Sequence, residues 1–410
     1  MRAMTEKVVV VGGGIGGLGA ALALSREGVS VDLLEQASAF GEVGAGLQLG
    51  PNAVRVLDQW GLLDALKGVA AFPEALRVRD VGSGSALGAL ALGFEVRRRY
   101  GQAYATIHRA DLHGLLLHAV EQQRGVRLLL NQRVASFDAH AAGVRVTDED
   151  GSNFEGRALL GCDGLWSRVR NQMLGAHPVR ASGHLAYRGM VRTSDLPVGL
   201  RSSVVTAWLG PRLHAVHYPV RCGEWFNVVV VVQGVIGQGH GGEVGSDPQS
   251  WTHDAHAADL RRTLGNVSPD LSAMVDAVSA WKLWPLNDRA PMSGAHEHAQ
   301  GRVALLGDAA HPLRPYLAQG AAMALEDAWT VGKLVAEAKD IAPDWPELLQ
   351  RFARTRWQRN ARVQTRSARN GTIFHAEGAL RWSRNLAMWA LGENLLDNPW
   401  LYEGPPAPGV

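Results

Sequence analysis

Val8 to Val11 is a short β-branched apolar run, the pattern of a strand buried on both faces. Three glycines follow it, then an Ala/Leu-rich stretch from Leu18 to Leu24 that suits a helix and is ended by Gly28. Val29 to Leu34 is a second apolar strand, closed by Glu35. The order is strand, glycine turn, helix, strand, acid. Gly12, Gly14 and Gly17 fit G-x-G-x-x-G, with Glu35 near the expected distance of roughly 20 residues onward. Gly14, Gly16 and Gly19 match as well, but Gly12 follows the strand directly, which favours the first register. A helix N-terminus carries about half a positive charge and free N–H groups, which suits a pyrophosphate. The acid would accept hydrogen bonds from ribose hydroxyls. A glycine turn without a ligand is the alternative. The stretch predicts a dinucleotide site without distinguishing NAD from FAD.

Phe40 to Asn52 is glycine-rich, either a loop lying against the ligand or a plain connector, and Asn52 is placed to cap a helix from Ala53 to Trp60, ended by Gly61. Leu76 to Asp80 and Ala86 to Val96 read as strands around Gly82-Ser83-Gly84. Arg109 stands at the start of a helix ending near Arg124-Gly125, where it could grip a phosphate or make a surface ion pair. Val126 to Leu130, Val144 to Thr147 and Phe154 to Leu160 are strand-like, with a hairpin turn at Asp150-Gly151. The last of them delivers Asp163-Gly164 to a strand end, where α/β sheets bind ligands. Arg168 and Arg170 follow at a helix start, with a solvated basic helix as the alternative reading.

From about Ala181 the pattern becomes short alternating strands, His184 to Arg192, Val204 to Leu209, Leu213 to Tyr218 and Glu224 to Gln233. That predicts an antiparallel sheet inserted into an α/β protein. Alternation puts His214, Val216 and Tyr218 on one face and Ala215 and His217 on the other. His214 and Tyr218 would line a pocket with a base and a phenol, and a structural histidine is the alternative. Gly237 to Gly242 formally repeats the glycine pattern, but no helix, strand and acid follow, so a flexible loop is expected. Trp251 to Leu264 and Leu271 to Ala280 read as helices, and Trp281 to Leu286 returns toward the first domain. The run from Gly301 ends in Gly307-Asp308, where the acid could bind a polyol hydroxyl, and the loop to Gly320 opens a helix from Ala321 to Ala338. Its positive N-terminus would face whatever the loop holds. Seven arginines between Arg351 and Arg369 read as a solvated amphipathic helix, with anionic lipid or nucleic acid as the lesser alternative. Arg381 to Leu396 is a second helix with Leu, Met and Trp, a candidate oligomer contact.

Length allows two domains: 410 residues can bury a substantial core. A net charge of +2 gives no argument for nucleic acid or membrane. Cys162 and Cys222 make neither a disulfide framework nor a metal set, so a reducing cytoplasm is expected. No apolar run is long enough to span a bilayer, and no signal-peptide core is seen.

Taken together, the stretch from Gly12 to Glu35, Asp163-Gly164 with Arg168, and Gly307-Asp308 resemble the single-component, or group A, flavin monooxygenases of aromatic rings. The resemblance covers essentially the whole chain. It implies an α/β fold: a Rossmann-like FAD-binding domain with an inserted antiparallel β-sheet substrate domain and a helical C-terminal part. The FAD-binding domain would take residues 1–180, with a small strand insertion near 73–106, and residues 291–345. The substrate sheet would take 181–290 and the helical region 346–410. The resemblance assigns Gly12, Gly14, Gly17 and Glu35 to the ADP half of FAD and Asp308 to its ribityl chain. Gln48, Arg109 and Gly320 join the cofactor contacts, and Asp163 is tied to FAD and to NADH or NADPH, which binds transiently.

Within the family, Gly44 to Asn52, Tyr187-Arg188-Gly189 and His214 with Tyr218 are similar to the 3-hydroxybenzoate 6-hydroxylase and salicylate hydroxylase branch. There the residues matching His214 and Tyr218 sit by the substrate's phenol. Leu313-Arg314-Pro315 departs from the glutamine of the 3-hydroxybenzoate enzymes, and Gln48 stands where hydroxynicotinate enzymes would have histidine. The implied activity is hydroxylation of a small phenolic or hydroxybenzoate-type ring with NAD(P)H and O2, using oxygen activated on the flavin. His214 would be the base, oriented or assisted by Tyr218. Salicylate-type decarboxylative hydroxylation, a flavin dehydrogenase or reductase without oxygen insertion, and a non-catalytic flavin protein are the alternatives. A cytoplasmic homodimer, with no nucleic acid partner, no integral membrane segment and no metal, completes the expectation.

Overall fold

The computed structural model describes residues 7–41, 45–175, 179–234, 253–338 and 343–405. The glycine loop at 237–242 lies outside the described residues. A six-stranded sheet forms the first layer, in the order Ala299–Gln300, Val303–Leu305, Ala158–Gly161, Lys7–Val11, Ser30–Leu34, Val126–Leu129. All of its pairs are parallel except the short edge strand Ala299–Gln300. Val8, Val9 and Val10 are fully buried at its centre, as a doubly covered strand requires. On one face the helix Ile15–Arg26 packs against the helix Gly320–Glu337. Small residues let them approach: a Cβ on Gly332 would stand 2.9 Å from the Ala23 Cβ. The other face is covered by a three-stranded antiparallel sheet, Val134–His140, Gly143–Asp148 and Asn153–Gly156. The expected strand from Phe154 to Leu160 is therefore two strands of different sheets. They divide at Gly156, where a Cβ would meet the Lys7 carbonyl at 2.9 Å.

The inserted sheet has eight strands, in the order His253–Ala255, Trp281–Asp288, Arg180–Arg192, Trp225–Gln233, Leu213–Val220, Val204–Gly210, Ala75–Asp80, Ala86–Ala91. The hairpin at 75–91 is thus the sheet's far edge, joined to Val204–Gly210 by a parallel pair. One face buries Leu185, Tyr187, Ala215, Val228 and Val230 under the helices Ala257–Leu264 and Pro269–Asp276. The other face, with Ala186, Val229 and Val231, turns toward Tyr316 of the first domain's second part and Phe374 of the C-terminal helix Trp345–Phe374.

Several local expectations change. Asn52 does not cap: Pro51 opens the helix Pro51–Gln59 with Gly50 as N-cap, and buried Asn52 donates to Gln319 Oε1 (3.0 Å) and Glu326 Oε1 (2.8 Å). Part of the expected connector before it, Gly46–Leu49, is a strand paired with Ala105–His108. The strand from Ala86 ends at Ala91, and Phe94–Tyr100 is helical, with Glu95 in its first turn and Arg97 to Arg99 in its last, as the helix dipole favours. The expected helix from Trp251 begins at Ala257, after the edge strand His253–Ala255. The arginine-rich helix Trp345–Phe374 is not simply solvated. Arg356 is fully buried, ion-paired to Glu326 (2.7 Å) and Asp327 (2.8 Å), and Arg359 also pairs with Glu326 (2.7 Å). Among the described residues, no helix is long and apolar enough to cross a membrane.

Candidate functional site

Gly12 has φ +104°, and a Cβ there would lie 2.4 Å from the Cys162 carbonyl oxygen. A Cβ on Gly17 would lie 1.8 Å from the Gly12 carbonyl oxygen, so the turn closes only with glycine at both positions. Gly16 and Gly19 instead face Ala324 and Ala328 of the neighbouring helix. This agrees with the first glycine register. Gly14 is the helix N-cap and has no side-chain cap. Glu35, at the end of Ser30–Leu34, accepts from the Gly13 amide (2.6 Å) and the Ala37 amide (2.8 Å).

Two strands further along the same edge, the Asp163 carboxylate accepts from Ser167 Oγ (2.6 Å) and from the Arg168 and Val169 amides (2.8 and 3.1 Å). It thus holds the first amides of the helix Arg168–Leu174, whose N-cap is Ser167, and burial raises its pKa against those bonds. The basic helix is tied down: Arg168 pairs with Glu149 (2.6 Å), and buried Arg170 donates to the Leu165 and Ala309 carbonyls (2.7 and 2.9 Å). Asp308 is exposed on the turn after Val303–Leu305. Asp327 anchors that turn, accepting from the Gly307 amide (3.1 Å) and bonding His311 Nε2 (2.6 Å). His311 and Arg356 hold Asp327 far below the usual carboxylate range in spite of its burial. Gly320 is the first residue of the long helix, behind the buried N-cap Gln319. Arg109 opens the helix Arg109–Glu121, and its amide donates to the Ala45 carbonyl (2.8 Å), beside the Gly46–Leu49 strand. Glycines that a Cβ would close, two helix N-termini without side-chain caps and two acids at strand ends fit an extended dinucleotide such as FAD.

The inserted sheet supplies the facing wall. Its register sets three rows on one face: Trp284–Ala186–Val231–His214, Lys282–Arg188–Val229–Val216, and Met190–Asn227–Tyr218. His214 and Tyr218 share that face, as the alternation predicts. They do not partner each other: among the described residues, no hydrogen bond joins them. His214 Nδ1 lies 2.8 Å from His375 Nε2, while Tyr218 lies near Gln48, whose Oε1 accepts from Tyr104 Oη (2.8 Å). Tyr218 therefore does not orient His214 by a direct bond, because four residues along a strand separate side chains by about 13 Å. Burial, then His375 and His184, keeps His214 well below an ordinary histidine pKa, and burial brings His375 down to about 3. Both rings are therefore neutral at physiological pH. Burial raises the Tyr218 phenol far above its usual value. His184 Nδ1 meets Tyr316 Oη at 2.6 Å, and a cavity of about 250 Å³ lined by His184, Gln233, His375 and Glu377 adjoins the cluster. Arg314, where the sequence departs from the glutamine pattern, is ion-paired to Asp288 (2.5 Å). The sequence reading missed His375 because it meets His214 across 161 residues and no local pattern marks it.

A family described as FAD binding domain matches residues 5–367. The chain belongs to this family. Membership settles FAD over NAD, which the glycine stretch alone left open. A 3-hydroxybenzoate 6-hydroxylase of Polaromonas naphthalenivorans is 38% identical over 92% of this chain and 90% of its own. Among solved structures, Klebsiella pneumoniae HpxO complexed with FAD and uric acid superposes with TM-score 0.82 at 25% identity, covering 95% of this chain and 94% of that one. A salicylate hydroxylase substrate complex superposes with TM-score 0.81 at 27% identity, covering 97% and 95%. The architecture of a Rossmann-like FAD-binding fold with an inserted, largely antiparallel sheet and a helical C-terminal part is that of these proteins.

Proposed function

We propose that the chain is an FAD-dependent monooxygenase that uses NADH or NADPH and O2 to hydroxylate a small phenolic or hydroxybenzoate-type ring. The observation that carries this reading is a buried, neutral His214 on the sheet face turned toward the FAD-binding domain, in a chain 38% identical to a 3-hydroxybenzoate 6-hydroxylase. FAD, once bound, supplies the electron transfer and oxygen activation that side chains lack. Gly12, Gly14, Gly17 and Glu35 would hold its ADP half, and Asp308, Gly320, Arg109, Gln48 and Asp163 would hold or frame the rest. His214 Nε2 takes the phenol proton, because a phenolate is the better nucleophile, while Nδ1–H is donated to His375. Tyr218, beside Gln48, stays a neutral hydroxyl that can hydrogen-bond the ligand. Val216, Val229 and Val231 make the wall apolar and exclude water. Functionally, residues 1–180 and 291–345 form the cofactor part, 181–290 with the 75–91 hairpin the substrate part, and 346–410 the segment that supplies His375.

The partner reading is a homodimer through the helix Gly378–Leu391, whose Trp382, Leu386 and Trp389 make one apolar face and are 79%, 63% and 77% exposed. A reducing cytoplasm suits the free Cys162 and Cys222.

The test follows NADH and NADPH oxidation and oxygen uptake by the purified yellow protein with 3-hydroxybenzoate, salicylate and 4-hydroxybenzoate. One oxygen gained by a compound supports the reading, and accompanying loss of CO2 selects the salicylate-type variant. Stimulated oxidation of NAD(P)H by a compound that is reduced or dehydrogenated without gaining oxygen selects a flavin reductase or dehydrogenase.

A further inference from the structure

We propose that Arg188 is the binding residue for a carboxylate on the aromatic ligand, set across the sheet face from His214. This rests on the aromatic-ring reading above. The Arg188 guanidinium carbon lies 3.9 Å over the Trp284 ring. Among the described residues it has no hydrogen bond or ion pair, and its Nε is buried without an acceptor. A buried guanidinium nitrogen without an acceptor is costly, and a charged acceptor removes that cost best.

The surroundings have the complementary character. None of the residues that this face takes from the strands Arg180–Arg192, Trp225–Gln233 and Leu213–Val220 is acidic, and the next acid in the row of Arg188 is Asp254, beyond Lys282. Asn227 adds a second buried donor without an acceptor: its Oδ1 takes the Gly46 amide (2.7 Å), which leaves Nδ2 unpaired. Burial, and then nearby Arg109, brings the Arg188 pKa down to about 10, so the group remains a cation at neutral pH in a positive environment. An anion there would relieve both effects.

Placement agrees with a small aromatic acid. Arg188, Val229 and Val216 form one row, and His214 stands in the row beside it, two residues from Val216 on the same strand. Two strand spacings separate the Arg188 and Val216 backbones by about 10 Å, before the long arginine side chain shortens the gap. A flat ring lying on Val216 and Val229 would then offer its hydroxyl to His214 and its carboxylate to Arg188. Stacking on Trp284 holds the planar fork in one orientation, which a lysine could not reproduce.

The same cation could instead serve an anionic edge of the flavin, and the test separates the two. Ligand dissociation constants are measured from flavin absorbance changes of the FAD-loaded protein. The ligands are two acid–amide pairs, 3-hydroxybenzoate with 3-hydroxybenzamide and benzoate with benzamide. The wild type should hold each acid about tenfold or more tighter than its amide. Arg188→Gln should weaken the acids about tenfold or more and the amides less than about threefold, with flavin content unchanged. Arg188→Lys, which keeps the charge but not the fork, should restore only part of the preference. Equal weakening of acid and amide, loss of flavin, or a wild type indifferent to the carboxylate would overturn the proposal. A wild type that hydroxylates the amide as readily as the acid keeps the monooxygenase reading and discards this one. Acid selectivity that depends on Arg188, without oxygen incorporation, does the reverse.

Discussion

His214 and His375 are joined by a 2.8 Å Nδ1···Nε2 hydrogen bond between two neutral imidazoles. Only one arrangement leaves His214 Nε2 able to accept a proton: His214 carries its hydrogen on Nδ1 and donates it to His375. His375→Ala removes that control of the tautomer and ring position. The expected result is a kcat lower by about tenfold to a hundredfold, with ligand affinity changed little and partial rescue in His375→Asn, which can still accept the bond. Steady-state rates and their pH profile check this. An unchanged kcat in His375→Ala would show that the bond is only structural.

Burial brings the pKa values of His217 and His298 down from 6.5 to about 4. The unfolded chain binds protons at these positions near pH 6.5, whereas the folded chain does so only near pH 4. Their stability contribution is therefore complete above pH 6.5 and lost as the pH falls toward 4. At pH 5 each fully buried imidazole should have lost about 2 kcal/mol. Asp327 and Glu326, whose pKa values are lowered, add little slope there, because their losses set in mainly as the pH falls through the unfolded carboxylate range of about 4 to 4.5. Denaturant unfolding at pH 7.5 and pH 5 measures the difference, and a flat midpoint would refute it.

Arg356→Met would leave the buried carboxylates of Glu326 and Asp327 without their shared guanidinium. Arg359 and Asn52 still serve Glu326, so Asp327 bears most of the loss. A cost of about 3 kcal/mol is expected. FAD retention should fall as well, because Asp327 positions the Gly307 amide. Unfolding of the variant with a loss under about 1 kcal/mol would contradict the role given to this network.

Gly17→Ala and Gly16→Ala should differ sharply. The first Cβ would meet the Gly12 carbonyl oxygen at 1.8 Å, the second only the Ala324 Cβ at 3.6 Å. Loss of bound flavin or of folding is expected for Gly17→Ala and near-normal flavin content for Gly16→Ala. The flavin-to-protein absorbance ratio reads this directly, and equal behaviour would remove the preference for the first glycine register.

Trp389→Glu places a charge on the exposed face shared with Trp382 and Leu386. Light scattering should report a dimer for the wild type and a monomer for the variant, with the flavin still bound. A wild-type monomer would dismiss this face as the contact.

Local chemistry made much of this legible from the sequence. Valine runs, the glycine turn and acids at strand ends carry their pattern within a few residues, and alternation set His214 and Tyr218 on one face. Reading failed where a distant partner decides. An amphipathic arginine pattern cannot show that Arg356 meets Glu326 and Asp327 of another helix. Asn52 looked like a cap because its side chain can be one, but Pro51 had already opened the helix. Gly156 divides an apolar run between two sheets through contact with Lys7, far away in sequence. His375 had no signal of its own at all.

The helix Trp345–Phe374 touches both halves of the chemistry. Arg356 near its middle grips Asp327, which fixes the turn bearing Asp308, and His375 follows its last residue against His214. The two points lie about 28 Å apart along one rod. A single strut thus keeps the proposed cofactor turn and the proposed base in step. Stretching or sliding it by one residue would misalign both ends together, even with each end's own residues intact.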